Sequence, residues 1–418
     1  MIELNNMQKE EPIKFGACLK VMGIGGGGGN AINSMIESAD LDSVEFIVAN
    51  TDAQALSLSK ANHKIQLGAK LTRGLGAGSN PDIGRRAAQE DLDPVLEKIA
   101  DADILFLTAG LGGGTGSGAI PIIAKAAKDL GVLTVAIVTR PFSFEGKRRL
   151  QHAQDSLENL KENVDTIIVV PNQKLLEVAD PKISMLDAFA MSDDVLKQAV
   201  KGISDIITKT GHINVDFADV KEIMKGMGLA IMGTGVAEGQ DRARQAAIRA
   251  LSSPLLEDVS IQGAKGVLLN ITGNTDLGLQ EINEAAAIVN EKVNSDAHII
   301  LGSVIDPSIG NQIKVTVIAT GFPEQQAKKE NIKENIIGAI KDNNQTFVNK
   351  NNISQQVNIK SVDKNYNVDK INENVSENVI ASAKEESISN IVNNPVQYDL
   401  NDLDTPTFLR KKQEQNTK

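Results

Sequence analysis

Two glycine clusters carry the chemistry of this chain. The first, Gly23-Ile24-Gly25-Gly26-Gly27-Gly28-Gly29-Asn30, places six glycines within seven residues. Glycine lets a backbone approach a phosphate closely. A helix opening behind such a loop aims N–H groups and the positive end of its dipole at an anion. Gly23, Gly25 and Gly28 satisfy G-x-G-x-x-G, the dinucleotide fingerprint, with Glu45 and Asp52 some twenty residues downstream. Taken alone, that loop makes an NAD-binding fold the default. The second cluster, Gly112-Gly113-Gly114-Thr115-Gly116-Ser117-Gly118, changes the reading. A dinucleotide fold needs one such loop per pyrophosphate, so two loops point to one phosphate chain cradled from both sides. A third small-residue loop, Gly74-Leu75-Gly76-Ala77-Gly78-Ser79-Asn80-Pro81, is suited to close over the terminal phosphate. Nothing matches G-x-x-x-x-G-K-[ST], and Gly146-Lys147 is followed by Arg148. The pattern predicts a nucleoside triphosphate site without a P-loop lysine, in which backbone amides and bound Mg²⁺ balance the phosphate charge.

The elements that must position these loops are legible as an alternation of strands and helices. Ala17 to Ile24 reads as a short apolar strand running into the first glycines, and Asn30 to Ser38 as a helix. Strands follow at Val44 to Ala49, Asp103 to Thr108, Val132 to Thr139 and Asp165 to Val170, with a helix from Thr115 to Leu130. Val- and Ile-rich strands alternating with helices imply a parallel sheet covered on both faces. From Ser184 to about Ile207, apolar residues recur at helical intervals, and Gly211 is expected to end that helix. A second, smaller α/β unit follows. It has a helix at about Asp219 to Lys225, a strand near Leu229 to Val236 and a helix from Arg242 to Leu251. Strands at Val267 to Thr272, Ala297 to Val304 and Gln312 to Thr320 complete it. The long helix is expected to be the hinge and shared core of the two units.

Composition sets the outer limits. The chain has 418 residues, 41% apolar and 3% aromatic with no Trp, so its cores are built from aliphatic residues and Met. Lys plus Arg number 43 against 54 Asp plus Glu, a formal net charge of −11. That argues against a nucleic-acid partner and against direct adhesion to an anionic membrane. A single cysteine, Cys18, excludes an internal disulfide and a Cys-based zinc site. His63, His152, His212 and His298 show no metal-ligand spacing. The polar first 16 residues predict no signal peptide, and no stretch reaches the roughly 20 apolar residues of a membrane span, so the expectation is a cytoplasmic protein. Lys328 to Gln397 holds sixteen Asn, nine Lys and nine acidic residues and reads as a disordered linker. The end differs again: Leu403-Asp404-Thr405-Pro406-Thr407-Phe408-Leu409-Arg410-Lys411-Lys412 combines an acid, a proline, two adjacent apolar residues and a basic run.

The run Gly110 to Gly118 resembles the tubulin signature loop. Further matches are Gly25 to Asn30, Asn50-Thr51-Asp52, Thr139-Arg140-Pro141-Phe142, Phe144-Glu145-Gly146 and Asn214-Val215-Asp216-Phe217-Ala218-Asp219. With these the chain resembles the FtsZ family, the bacterial tubulin-like GTPases that assemble the cell-division ring. The resemblance runs from about Ala17 to Gly321 and resumes at the C-terminal peptide, with small local variations at Ser79 and Gln173. It implies an α/β, tubulin-like fold with an N-terminal Rossmann-like parallel-sheet GTPase domain, a long central helix, a smaller C-terminal α/β domain and a disordered tail. The corresponding boundaries are 1–16 for an N-terminal extension, 17–181 for the GTP-binding domain and 182–211 for the central helix. The C-terminal domain with the catalytic loop takes 212–322, an Asn-rich linker 323–397 and a partner-binding peptide 398–418.

By the same resemblance Gly26, Gly27, Gly28, Gly29 and Asn30 contact GTP or GDP, as do Gly114, Thr115 and Gly116. Ala77 and Gly78 lie near the γ-phosphate, and Glu145 and Arg149 reach the ribose and phosphate region. The competing reading of that last pair is a solvated i, i+4 ion pair. Phe189 and Asp193 are four apart, hence on one face of the long helix. A phenyl face stacks on a base, and a carboxylate accepts the N1–H and N2 amino hydrogens of guanine, a donor pair that adenine lacks. Plain core for Phe189 and a surface acid for Asp193 are the alternatives. Asp216 and Asp219, with Asn214, are implied to act on the nucleotide of the next subunit in a head-to-tail homopolymer, orienting the attacking water. Simple capping of a helix N-terminus competes with that role. No side-chain metal ligand is identified, so Mg²⁺ is held mainly through the GTP phosphates. In the tail Asp404, Pro406, Phe408, Leu409 and Arg410 resemble the family's docking motif for membrane-tethering and regulatory partners, without direct membrane insertion. An NAD-dependent oxidoreductase, a nucleotide-binding scaffold and a plasmid-partitioning tubulin relative are the competing functions.

Overall fold

A computed structural model describes residues 16–38, 41, 43–209, 211, 213–253, 255–256 and 261–323. The first half runs β1 (Leu19–Ile24), α1 (Gly25–Glu37), β2 (Val44–Asn50), α2 (Ala53–Leu58), β3 (His63–Gln66), α3 (Ala69–Thr72), α4 (Pro81–Glu90) and α5 (Leu92–Ile99). It continues through β4 (Ile104–Gly110), α6 (Thr115–Asp129), β5 (Leu133–Arg140), α7 (Lys147–Asn163), β6 (Thr166–Pro171), α8 (Asn172–Val178) and α9 (Met185–Thr208). The second half comprises α10 (Phe217–Met224), β7 (Gly228–Glu238), α11 (Arg242–Leu251), β8 (Gly266–Gly273), α12 (Leu279–Lys292), β9 (His298–Ile305) and β10 (Gln312–Thr320).

All ten strands join one sheet in the order β3-β2-β1-β4-β5-β6-β7-β10-β8-β9. β1 to β6 are parallel, and their order reverses between β1 and β4. Ligands of open α/β sheets bind beyond the carboxyl ends of the strands at such a reversal. Both glycine clusters leave the sheet there, one after β1 and one after β4. The second half continues the same sheet: β6 pairs in parallel with the start of β7, from Thr166↔Gly228 to Ile168↔Ala230, and β10 then pairs antiparallel with both β7 and β8.

Alternation along the strands puts Leu19, Val21, Ile104 and Phe106 into one core and Met22, Ile24, Leu105 and Leu107 into another on the opposite face. The first of these cores also takes Leu196, Ala199, Val200, Ile203 and Ile206 of α9, together with Met232, Leu268, Ile300 and Ile318 from strands of the second half. One helix thus supplies apolar side chains to a core that draws strands from both halves.

The structure departs from the sequence expectation in two places that matter. The first helix starts at Gly25 and not at Asn30, so the glycines themselves form its opening turn. Glycine is a poor helix former in water, but here the sheet has no room for a side chain. A Cβ on Gly28 would stand 2.4 Å from the Thr108 carbonyl oxygen. The long helix ends at Thr208, where the Lys209 N–H donates to the Asp205 carbonyl at 3.0 Å, three residues before Gly211. Glycine is needed at 211 for another reason: a Cβ there would fall 1.6 Å from the Ser303 carbonyl oxygen on β9.

Candidate functional site

Three loops converge at the sheet reversal. α1 begins with no side-chain cap at Ile24, and α6 with none at Gly114. The first N–H groups of a helix have no partner within it, so two uncapped, glycine-lined helix starts face the same crevice. Close packing holds them together. A Cβ on Gly25 would lie 2.9 Å from the Gly116 nitrogen, and one on Gly27 would lie 3.1 Å from the Gly110 nitrogen. Gly114 is pressed by the third loop, where an added Cβ would be 2.8 Å from both the Ala77 Cβ and the Asn80 nitrogen. Ala77 is buried and Gly78 exposed. Gly26 and Gly113 differ from these, since a Cβ on either would meet nothing within 4 Å. Glycine at 26 and 113 therefore leaves open space beside the backbone, while at 25, 28, 114 and 116 it lets neighbouring backbone pack close. Gly29 is half-buried and Asn30 exposed on the same helix start.

The opening of α9 reaches the same edge. Phe142, which follows β5, is fully buried; its ring stacks on Phe144 at 5.1 Å and meets Phe189 edge-on at 5.2 Å. Phe189 is 38% exposed, so it is not plain core. Asp193 and Asp194 part company. Asp194 pairs with Lys197 at 2.7 Å and accepts from Gln198 at 2.5 Å. Asp193 has no partner among the described residues, and burial pushes its carboxyl up to about 6. A half-buried carboxylate left without a donor fits a ligand that brings its own.

Glu145 accepts the Phe142 N–H at 2.9 Å and pairs with Arg149, which is half exposed. The i, i+4 ion pair therefore exists, at the rim of the crevice. Gln173 has a definite role: its Oε1 accepts from the Ser143 N–H at 3.1 Å and the Ser143 hydroxyl at 2.8 Å, fixing the loop after β5. Two features here carry no sequence signal. The Asn172 Oδ1 is buried and unpartnered, and the Thr115 hydroxyl lies 2.6 Å from that of Thr51, 64 residues earlier.

Asn214, Asp216 and Asp219 are exposed and stand apart from these loops. Asp216 caps α10 by accepting the Asp219 N–H at 2.9 Å, and Asn214 accepts the Gly211 N–H at 2.8 Å. α10 ends at Met224, whose carbonyl accepts the Thr166 hydroxyl; Gly228 N–H then donates to the Asp165 carbonyl at 2.9 Å. Thr166 opens β6, so α10 is anchored at the amino-terminal edge of the parallel strands, while the glycine loops leave the carboxyl edge. Strands of six to eight residues at about 3.3 Å each separate the two edges by about 20–26 Å. The run of α9 from Phe189 to Thr208, about 28 Å at about 1.5 Å per residue, carries the chain away from the glycine-loop edge before the acids follow.

Among the described residues no group of three or more His, Cys, Asp and Glu side chains is placed to hold a metal ion. Asp404, Pro406, Phe408, Leu409 and Arg410 lie outside the described residues, as do 1–15 and 324–418 as a whole.

The sheet reversal with its converging loops, continued by a central helix into a second α/β half, defines a nucleotide-binding protein of tubulin-like build. The description of the Tubulin/FtsZ family GTPase domain matches residues 18–180, and that of the FtsZ family C-terminal domain matches residues 228–323. The chain belongs to the FtsZ family of tubulin-like GTPases. Among solved structures, an empty FtsZ dimer from M. jannaschii is 46% identical with a TM-score of 0.70, over 73% of this chain and 89% of that one. A mutant of M. jannaschii FtsZ matches equally well over 92% of its length. A GTPgS-bound protofilament of CetZ2 from Haloferax volcanii shares the fold at 20% identity and a TM-score of 0.64, over 77% of this chain and 99% of that one.

Proposed function

We propose that the chain assembles head-to-tail into filaments of the cell-division ring at the septum, and that GTP hydrolysis between successive subunits controls filament turnover. The observation that carries this is the separation of the glycine loops from Asp216 and Asp219 on opposite edges of one sheet. A site containing both needs two copies, and a head-to-tail contact that does not close propagates into a filament. Exposed Leu75, Phe144, Met185 and Leu186 lie on segments at the glycine-loop edge, apolar surface of the kind that partners cover. The CetZ2 protofilament, of the same fold, agrees with such an assembly.

GTP fits the crevice. Gly26, Gly27, Gly28, Gly29 and Asn30 offer the phosphates backbone N–H groups at one helix start, and Gly114, Thr115 and Gly116 do so at the other. Ala77 and Gly78 cover the terminal phosphate, Glu145 and Arg149 bind at the ribose side, Phe189 stacks on the base and Asp193 accepts its two N–H groups. Mg²⁺, held through the phosphates, supplies the positive charge that a P-loop lysine supplies elsewhere. Asp216 and Asp219 of the adjoining subunit orient the attacking water and draw its proton, with Asn214 holding their loop. Asp216 keeps its helix-capping bond while doing so, because both carboxylates are exposed and capping engages only one oxygen of Asp216.

No described helix is long and apolar enough to cross a membrane. We place the filament in the cytoplasm at the inner face of the membrane, tethered through Asp404, Pro406, Phe408, Leu409 and Arg410 by a division protein. One assay tests assembly and tethering together. GTP, but not ATP, should raise light scattering equally for the full chain and for a chain lacking 398–418. Only the full chain should be recruited to vesicles that carry the tethering protein. Phe408→Ala should abolish most of that recruitment, since buried aromatic anchors contribute about 2 kcal/mol or more. Tail-dependent binding to bare anionic vesicles at physiological salt, unchanged by Phe408→Ala, would replace the partner with direct attraction to lipid.

A further inference from the structure

Thr51 lies between β2 and α2, fully buried, and touches two of the three loops at once, the start of α6 and the loop from Gly74 to Ser79. Its hydroxyl lies 2.6 Å from that of Thr115 at the start of α6. Its carbonyl accepts the Thr72 hydroxyl at 3.2 Å and the Gly76 N–H at 3.3 Å. The neighbouring backbone continues the tie, with Asp52 bridged to Leu75 and the Ala53 N–H donating to the Gly74 carbonyl at 3.0 Å. The loop so held is a demanding one. Gly74, Gly76, Gly78 and Ser79 all have positive φ, a conformation that needs outside support where the residue is not glycine.

Geometry lets either hydroxyl of the pair donate, and the count of hydrogens and acceptors selects between them. Two hydroxyls bring two hydrogens, and one hydrogen bond uses one of them. Thr51 Oγ1 has no other partner among the described residues. If Thr115 donated to it, the Thr51 hydrogen would be buried without an acceptor, which is costly. Thr51 therefore donates, and the Thr115 hydrogen remains for a ligand at the crevice, where Thr115 keeps its small exposure.

We propose that Thr51 is a positioning residue that couples the Thr115 hydroxyl to the 74–79 loop, so that the two loops respond to the terminal phosphate as one unit and favour GTP over GDP. This rests on the GTP-site reading given above. It differs from a role in packing, because a packing role would affect both nucleotides alike.

The test is equilibrium binding of GTPγS and of GDP to the full chain, below the assembly concentration. Thr51→Val keeps the shape and removes the hydroxyl. It should weaken GTPγS binding about fivefold, the effect of losing one neutral hydrogen bond that orients the Thr115 hydroxyl, and GDP binding by less than about twofold. Thr51→Ser should restore the parent ratio. Thr115→Val should cost less GTPγS affinity in the Thr51→Val background than in the parent, since the Thr51 hydroxyl acts through that of Thr115. Thr51→Ala, measured in the same way, takes the place of the valine variant if that fails to fold. Equal losses for both nucleotides, or no rescue by serine, would overturn the coupling. A parent chain that bound neither nucleotide would instead overturn the GTP-site reading itself.

Discussion

Asp216→Asn should leave GTP affinity within about twofold of the parent and lower hydrolysis by about 10²-fold or more, the range for losing a positioned acid–base or water-orienting group. The choice of asparagine follows from the structure. Asp216 accepts the Asp219 N–H at the start of α10, and asparagine caps a helix as well as aspartate does. Alanine would add a loss of about 1 kcal/mol in helix stability and blur the result. Asp219→Ala should behave in the same way, because Asp219 accepts no hydrogen bond among the described residues. Both variants should still form filaments with GTP, and those filaments should persist longer than the parent's. Nucleotide affinity lost with turnover preserved would mean that these acids belong to binding and not to hydrolysis.

The second large effect concerns the base. Asp193→Asn should lower GTP affinity by about 10²-fold or more, because a site built to pair a donor pair rejects what it leaves unmatched. An asparagine amide offers one acceptor and one donor, which suits the N1–H and O2 of xanthine, so the variant should gain XTP. The parent should also show a pH signature. Burial raises the Asp193 carboxyl to about 6, so below that pH the free protein holds a proton that guanine must displace. The sign is fixed: GTP affinity stays level above about pH 6 and falls about tenfold for each unit below it. In Asp193→Asn that slope should vanish. Binding to the parent that stayed flat down to about pH 5 would place Asp193 outside the base site.

The sequence makes the glycine loops legible because they are contiguous and each follows a buried strand. The long helix is legible because its apolar residues repeat through several turns. Periodicity also finds nine of the ten described strands, with ends displaced by a residue or two, and misses the four-residue edge strand β3, too short to show a repeat. Three features of the site escape it. The glycine turn of α1 is invisible to propensity, since the close approach of Gly28 to the Thr108 carbonyl is a tertiary effect that overrides it. Asp193 and Asp194 look alike as neighbours in a row, and only the positions of Lys197 and Gln198 leave one paired and the other bare. The Thr51–Thr115 pair joins residues on different loops, and no spacing rule encodes it. The acids at 216 and 219 are an intermediate case: their cap is readable from sequence, while their distance from the glycine loops follows only from the anchoring of Met224 and Gly228 at the far edge of the sheet.

In the proposed filament the hydrolytic site is completed by a second copy of the chain. The most direct measurement is GTP turnover per protomer as a function of protein concentration. A site shared across a head-to-tail contact predicts almost no turnover at low concentration and a steep rise in the rate per protomer above a threshold, in step with assembly. Turnover strictly proportional to protein from the lowest concentrations upward, with a constant rate per protomer, would contradict it.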